Sequence, residues 1–311
     1  MAVKFWINGI GSRRSRGPSP TKQLVEENGF TLNGQHAGTV LLIHGLTGTP
    51  QEMRGIAQLL HRHGYAVVCP RLANHGEPID ILQRTTWQEC YASVRTAFLR
   101  LDDGHTPRPI FVAGLSMGAL LALVLAEEFP DRIAGVSCLS PTLFYDGWNM
   151  PWSRHLLPLA HMIPHIKYWF YFKEESPYGL KNAAVRARIH RYYTKATLQD
   201  LGWVQQYGYP YFPVSLLCEL QRLVRHLTKR LPAIHTPVQL IQAQEDDMTS
   251  VKNAQFIYDR IHSPMKELIL LHNSYHIITV DQERDLVAQK MGEFFDRINL
   301  HDHAATHTTH S

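Results

Sequence analysis

Residues 110–126 read I-F-V-A-G-L-S-M-G-A-L-L-A-L-V-L-A, and the remaining segments are organised around them. Ile110 to Ala113 is a short apolar run of β type. Gly114 to Gly118 has the form G-x-S-x-G, and the Ala/Leu/Val segment after it has helical composition with no polar face. This order predicts a strand, a tight turn and a buried helix. Ser116 would stand at the tip of the turn, flanked by glycines because a side chain at either place would collide with the neighbouring strand or helix. Its hydroxyl is then lifted clear of the backbone, and the amide of Met117 points into the same space from the helix N-terminus.

Working outward, the run Thr39 to His44 (T-V-L-L-I-H) is apolar throughout, as expected of a strand covered on both faces, and it ends in Gly45-Leu46-Thr47-Gly48. Pro50 opens a helix to about Arg62, and Gly64 stops it. Tyr65 to Cys69 is the next strand, Trp87 to Leu101 the next helix, and Ile133 to Leu139 a strand beyond the buried helix. After a long interruption come a strand at Val238 to Ala243, a helix from about Val251 to Ile261, a last strand at Glu267 to Leu271 and a closing amphipathic helix from Gln282 to Ile298. Parallel neighbours need crossover connections, so this alternation predicts an α/β fold with a mainly parallel sheet and helices on both faces.

The interruption, residues 142–231, contains helix-like pieces broken by prolines and carries more than half of the chain's 12 Phe, 6 Trp and 13 Tyr residues. It is expected to be a helical, aromatic-rich cap inserted between core segments 27–141 and 232–300, with some of its rings facing the sheet and lining a pocket. Its rings and basic residues suggest an acyl group with a polar or anionic head. Residues 1–26 are basic, rich in Gly, Ser and Pro and without periodicity, as in a flexible extension. Residues 301–311 hold four histidines in a segment expected to be disordered.

The 31 basic and 27 acidic residues leave a net charge of +4, too small a surplus for a nucleic-acid partner. No run reaches the roughly 18 apolar residues of a membrane span, and the order of the N-terminal segment is not that of a signal peptide. Cys69, Cys90, Cys138 and Cys218 are scattered, which favours free buried thiols over disulfides or a metal site. A cytoplasmic location is the resulting expectation.

A serine hydroxyl is a poor nucleophile at neutral pH and needs a base within reach and a third group to orient that base. In folds of this kind reactive groups gather at the C-terminal edge of the parallel strands. Asp246 follows the strand Val238 to Ala243 by three residues, and His276 follows the strand Glu267 to Leu271 by five. Glu245, Asp246 and Asp247 are consecutive, so Asp247 is the alternative acid. The oxyanion of acyl transfer would meet the amide of Met117 and a second amide from the H-G-L-T-G loop, assigned to Leu46. His44 and Thr47 are then loop-shaping residues, and His75 in A-N-H-G-E is read as structural.

These residues resemble a known group. L-L-I-H-G-L-T-G, G-L-S-M-G, and E-D-D-M with S-Y-H-I-I-T-V-D-Q-E-R-D are similar, in order and over about residues 36–298, to the motifs of bacterial α/β-hydrolase carboxylesterases of the monoacylglycerol lipase and thermophilic esterase branch. The resemblance implies Ser116 as nucleophile, Asp246 as acid, His276 as base, and the amides of Leu46 and Met117 as oxyanion hole. It implies hydrolysis of a small-molecule acyl ester through an acyl-enzyme, without metal or organic cofactor. A thioesterase or acyltransferase would use the same groups, and a binding protein on this fold would usually lack one of them. Tyr275 departs from the glycine that often precedes the histidine, and the insertion is longer than the small esterase cap.

Overall fold

The computed structural model describes residues 29–34, 37–102, 108–150, 166–195 and 201–308. The extension 1–26 lies outside them. In chain order the elements are β1 (Phe30–Leu32), β2 (Thr39–Ile43), a 3₁₀ turn (Pro50–Met53) leading into α1 (Arg54–Arg62), β3 (Ala66–Cys69), α2 (Ile79–Leu82), α3 (Trp87–Leu101), β4 (Ile110–Leu115), α4 (Met117–Glu128) and β5 (Gly135–Leu139). There follow β6 (Tyr171–Lys173), α5 (Ala183–Lys195), α6 (Leu201–Tyr207), β7 (Tyr211–Pro213) and α7 (Val214–Thr228). The chain closes with β8 (Val238–Ala243), α8 (Lys252–Arg260), β9 (Lys266–Leu271) and α9 (Arg284–Thr308).

Seven strands form one sheet in the order β1-β3-β2-β4-β5-β8-β9. All neighbours are parallel except β1, which pairs antiparallel with β3 at the edge. β2 and β4 run in register from Thr39 opposite Ile110 to Ile43 opposite Gly114, which sets the Gly45–Gly48 loop beside the turn at Ser116. The unbroken apolar runs follow from burial on both faces. Leu41 and Ile43 pack with α3, α4, α7 and α8, whereas Val40 and Leu42 point the other way into a core shared with α1 and α9. α4 has no polar face because every residue from Met117 to Ala126 is buried between the sheet and its neighbouring helices.

Three features differ from the sequence reading. The inserted segment is not wholly helical: β6 and β7 make a small antiparallel sheet in which Phe172 pairs with Phe212. α7 packs its buried Leu216, Leu217, Leu220, Leu223 and Leu227 into the main core against α3 and α4, although by chain position it belongs to the insertion. The closing helix continues to Thr308, so residues 301–308 are helical where disorder was expected. No Gly or Pro interrupts that stretch, and extending a nucleated helix costs little per residue. Residues 309–311 lie outside the described part. Among the described residues no helix is long and apolar enough to cross a membrane, and the four cysteines are free and buried.

Candidate active site

Ser116 occupies the single residue between β4 and α4, at φ 57° and ψ −115°. A non-glycine residue held there stores roughly 1–3 kcal/mol of strain, so its surroundings must fix it. The Ser116 amide donates to the Leu139 carbonyl (2.8 Å), and its own carbonyl accepts from the Ala119 amide (3.1 Å). The flanking glycines are sterically required. A Cβ at Gly114 would stand 2.2 Å from the Gly118 backbone, and one at Gly118 would stand 2.3 Å from the Ile43 carbonyl oxygen.

The loops after β8 and β9 bring the other two candidates to this turn. His276 Nε2 is 3.1 Å from Ser116 Oγ, and His276 Nδ1 is 2.9 Å from Asp246 Oδ2. The carboxylate can only accept, so Nδ1 carries the proton and Nε2 is left to accept from the serine. Asp246 is itself locked. Its Oδ1 accepts the Met248 and Thr249 amides (2.8 Å each), and its Oδ2 accepts from Gln242 Nε2 (2.7 Å) and Thr249 Oγ1 (3.0 Å). Asp247 instead accepts the Gly179 amide (3.1 Å) and the His276 backbone amide (3.4 Å). Of the two candidate acids, the geometry joins only Asp246 to the imidazole.

Burial by itself would lower the basicity of His276. The Asp246 carboxylate at Nδ1, with Asp247 and Glu174 behind it, outweighs that effect and holds the imidazole above its ordinary value. Burial and the adjacent Asp246 push Asp247 up to about 6.

Leu46 lies on the loop after β2 and lines the pocket. Three consecutive residues of this loop are fastened through their backbone. Glu52 Oε1 accepts the Gly45 amide (2.5 Å), His75 Nε2 lies 2.8 Å from the Leu46 carbonyl, and the Thr47 carbonyl accepts the Tyr209 amide (2.9 Å). His44 braces the same loop from below, with Nε2 accepting the Leu72 amide (3.1 Å). His75 is thus structural, as expected, but it acts directly on the residue assigned to the oxyanion hole. Glu52 was missed because it lies in the first turn of a helical segment, where an acidic residue is ordinary. Met117 opens α4 immediately after Ser116.

Above these groups is a cleft that is open to solvent on one side. Its floor is the Gly45–Gly48 loop with Leu115, Ser116 and His276, and its roof comes from Tyr145, Glu174, Tyr193, Tyr207 and Phe212. Glu52 and Glu174 both reach the cleft, and burial pushes them up to about 7 and about 8. No Lys or Arg stands among the described lining residues. The basic residues of the insertion, from which an anionic head was suggested, are thus not among the described residues that line the cleft.

The roof is tied to the base. The Gly179 carbonyl accepts the Ile277 amide (2.8 Å), while Asp281 accepts the Lys181, Asn182 and Tyr275 amides (2.8 Å each).

A parallel sheet with a glycine-flanked serine between strand and helix, and an acid and a histidine on later loops in that chain order, defines the α/β-hydrolase class of serine hydrolases. Over residues 34–283 the chain matches the family described as serine aminopeptidase, S33, and it belongs to that family. It is 30% identical over 256 residues to the thermostable monoacylglycerol lipase of Bacillus sp. (strain H-257), covering 82% of this chain and 89% of the relative. It is 24% identical over 283 residues to the carboxylesterase of Bacillus subtilis (strain 168), covering 89% and 99%. Among solved structures, a metagenome-derived lipolytic enzyme superposes with a TM-score of 0.70 at 26% identity over 88% of this chain and 100% of its own. The monoacylglycerol lipase of Paleococcus ferrophilus shares the fold, with a TM-score of 0.69 at 19% identity over 87% and 98%.

Proposed function

We propose that Ser116, His276 and Asp246 are the nucleophile, the general base and its orienting acid of an esterase that works through an acyl-enzyme, with the Leu46 and Met117 amides as oxyanion hole. The chain is a carboxylic ester hydrolase of the α/β-hydrolase superfamily. The observation that carries the role assignment is the continuous line from Ser116 Oγ through the imidazole to Asp246, at 3.1 and 2.9 Å. Ser116 attacks the ester carbonyl as His276 Nε2 takes its proton, and the imidazolium returns that proton to the departing alcohol. Water then enters, loses a proton to His276 and releases the acid. Charge on the carbonyl oxygen is met by the two amides.

Substrate choice follows from the cleft. Leu115, Phe212, Met248 and Ile277 offer apolar wall to an acyl chain, and Glu52, Glu174 and Tyr193 offer hydrogen bonds to an uncharged, hydroxyl-bearing alcohol. An ester of the monoacylglycerol kind suits both halves, and the name of the Bacillus sp. relative supports it. The insertion, residues 142–231, supplies the roof through Tyr145, Glu174, Tyr193, Tyr207 and Phe212, while its α7 packs into the main core. The buried free thiols support a reducing, cytoplasmic setting.

The test is a panel of acyl esters and thioesters of graded chain length, run with and without a serine-directed phosphonate. Each methylene buried gains about 0.8 kcal/mol, roughly fourfold in kcat/KM, until the cleft is full. Esters are expected to rise in this way and phosphonate to label Ser116. A flat profile, or hydrolysis persisting after labelling, would overturn the assignment.

A second expectation concerns pH. The imidazole must be neutral to accept a proton, and it is held above its ordinary value of 6.5, so kcat/KM is expected to fall on the acid side with a midpoint above that value. Activity is present above the midpoint and lost as pH falls through it. A pH–rate profile with chemistry limiting checks this, and a limb below pH 6 would contradict it.

A further inference from the structure

Ser116 Oγ has a second neighbour that the mechanism above leaves unused. Thr142 Oγ1 lies 2.8 Å from it, closer than His276 Nε2 at 3.1 Å, and also 3.3 Å from the Ser140 carbonyl oxygen. Thr142 is buried, three residues beyond the end of β5, on a chain turn where Ser140 has φ 44°. Its position is therefore set by the sheet edge and not by a mobile surface.

The proton arrangement decides what this hydroxyl does. His276 Nδ1 donates to Asp246, so Nε2 accepts the Ser116 proton in the reactive state. Ser116 then has no proton left for Thr142, and the short contact between the two oxygens is a hydrogen bond donated by Thr142. When Thr142 turns its proton to the Ser140 carbonyl, Oγ loses that donor.

We propose that Thr142 is a catalytic residue of deacylation, donating a hydrogen bond to Ser116 Oγ as the acyl–oxygen bond breaks. This rests on the reading of Ser116 as nucleophile. In acylation the donated bond is already present in the free enzyme, so it is equally strong before and during attack and changes the barrier little. In the acyl-enzyme Oγ is the bridging oxygen of an ester, a weak acceptor, and the Thr142 proton is better placed on the Ser140 carbonyl. Water adds to the acyl carbon as His276 removes its proton. The tetrahedral intermediate then collapses: the bond between carbon and Oγ breaks, its electron pair goes to Oγ, the imidazolium proton follows, and the carboxylic acid departs with the hydroxyl from water. Charge develops on Oγ in this collapse as it does in the attack that is its reverse, but here the Thr142 bond re-forms from an acyl-enzyme that lacked it. The contribution is thus differential and falls on the second half-reaction.

The experiment compares Thr142→Val, which keeps the shape and removes the donor, with Thr142→Ser, which keeps the donor. Acylation is followed by stopped-flow release of nitrophenolate from a nitrophenyl ester, and deacylation by loss of the acyl mass from isolated acyl-enzyme. One neutral hydrogen bond corresponds to about tenfold or somewhat less in rate. Thr142→Val is expected to slow deacylation by about that factor and acylation by less than about twofold. For an ester limited by deacylation, kcat and KM then fall together and kcat/KM holds. Thr142→Ser is expected to restore deacylation. If Thr142→Val loses its cooperative melting transition, Thr142→Cys, with a weak S–H donor, is expected to show the same selective slowing. Equal slowing of both steps, no slowing of either, or failure of Thr142→Ser to restore the rate would each overturn the proposal. The underlying reading fails differently: wild-type protein would then form no acyl adduct at Ser116 at all.

Discussion

Replacing Ser116 with alanine is expected to lower kcat by about 10⁶-fold, the scale typical for loss of a nucleophile, while the protein keeps its melting temperature. The size follows from the role proposed for the hydroxyl, which would form the covalent intermediate and is the nucleophile that the imidazole, 3.1 Å away, would activate in acylation. Stability should change little because the side chain supplies few contacts. The turn is held through its backbone, by the bonds to Leu139 and Ala119 and by the close packing of Gly114 and Gly118, none of which involves the hydroxyl. The backbone strain at φ 57° is the same for alanine as for serine. Turnover of a nitrophenyl ester beside a thermal melt measures both. A variant that keeps a tenth of wild-type activity would remove Ser116 from the mechanism.

Asp246→Asn is expected to cost about 10⁴ in kcat, the loss that removal of the orienting carboxylate produces in a well-studied triad. An amide at this position would be gripped by the donors that hold the carboxylate. Met248, Thr249 and Gln242 all donate into it, and an NH₂ turned towards His276 Nδ1 would force the proton onto Nε2, where the serine needs an acceptor. Asp247→Asn should cost less than about tenfold. That side chain accepts two backbone amides, which an amide oxygen can serve in part, and with burial raising it to about 6 its charge is already weakly held. Parallel kcat measurements decide the order, and the reverse order would move the acid by one residue.

The centre of the sheet could be read because burial on both faces leaves an unmistakable composition. β2, β4 and α4 have almost no polar atoms to place, and the glycines at 114 and 118 are where backbones touch. The loops holding Asp246 and His276 could be located because each follows a strand directly. What escaped was short or set by tertiary contact. β1, β6 and β7 are three residues each, below the length at which a period of two is visible, and two of them sit in an aromatic stretch that reads equally as helix core. α7 has a plain apolar stripe, but nothing in the chain says whether it covers the cap or the sheet. Glu52 and Thr142 are single polar residues in ordinary local settings: the chain folds back over seven residues to bring Glu52 to Gly45, and the pairing of β4 with β5 brings Thr142 to Ser116.

The roof of the cleft is fastened at both ends to parts proposed to carry the chemistry. At one end Gly179 to Asn182 is laced to the loop of His276 through Asp247, Asp281 and the Ile277 amide, and at the other the Tyr209 amide holds the Thr47 carbonyl next to Leu46. A substrate that lifts this roof is therefore expected to tilt His276 and the Gly45–Gly48 loop as well. An ill-fitting ester would be bound yet turned over slowly, so selection among acyl chains should register in kcat and not in KM alone, with the roof expected to act as a gauge of substrate size that sets the alignment of the reacting groups.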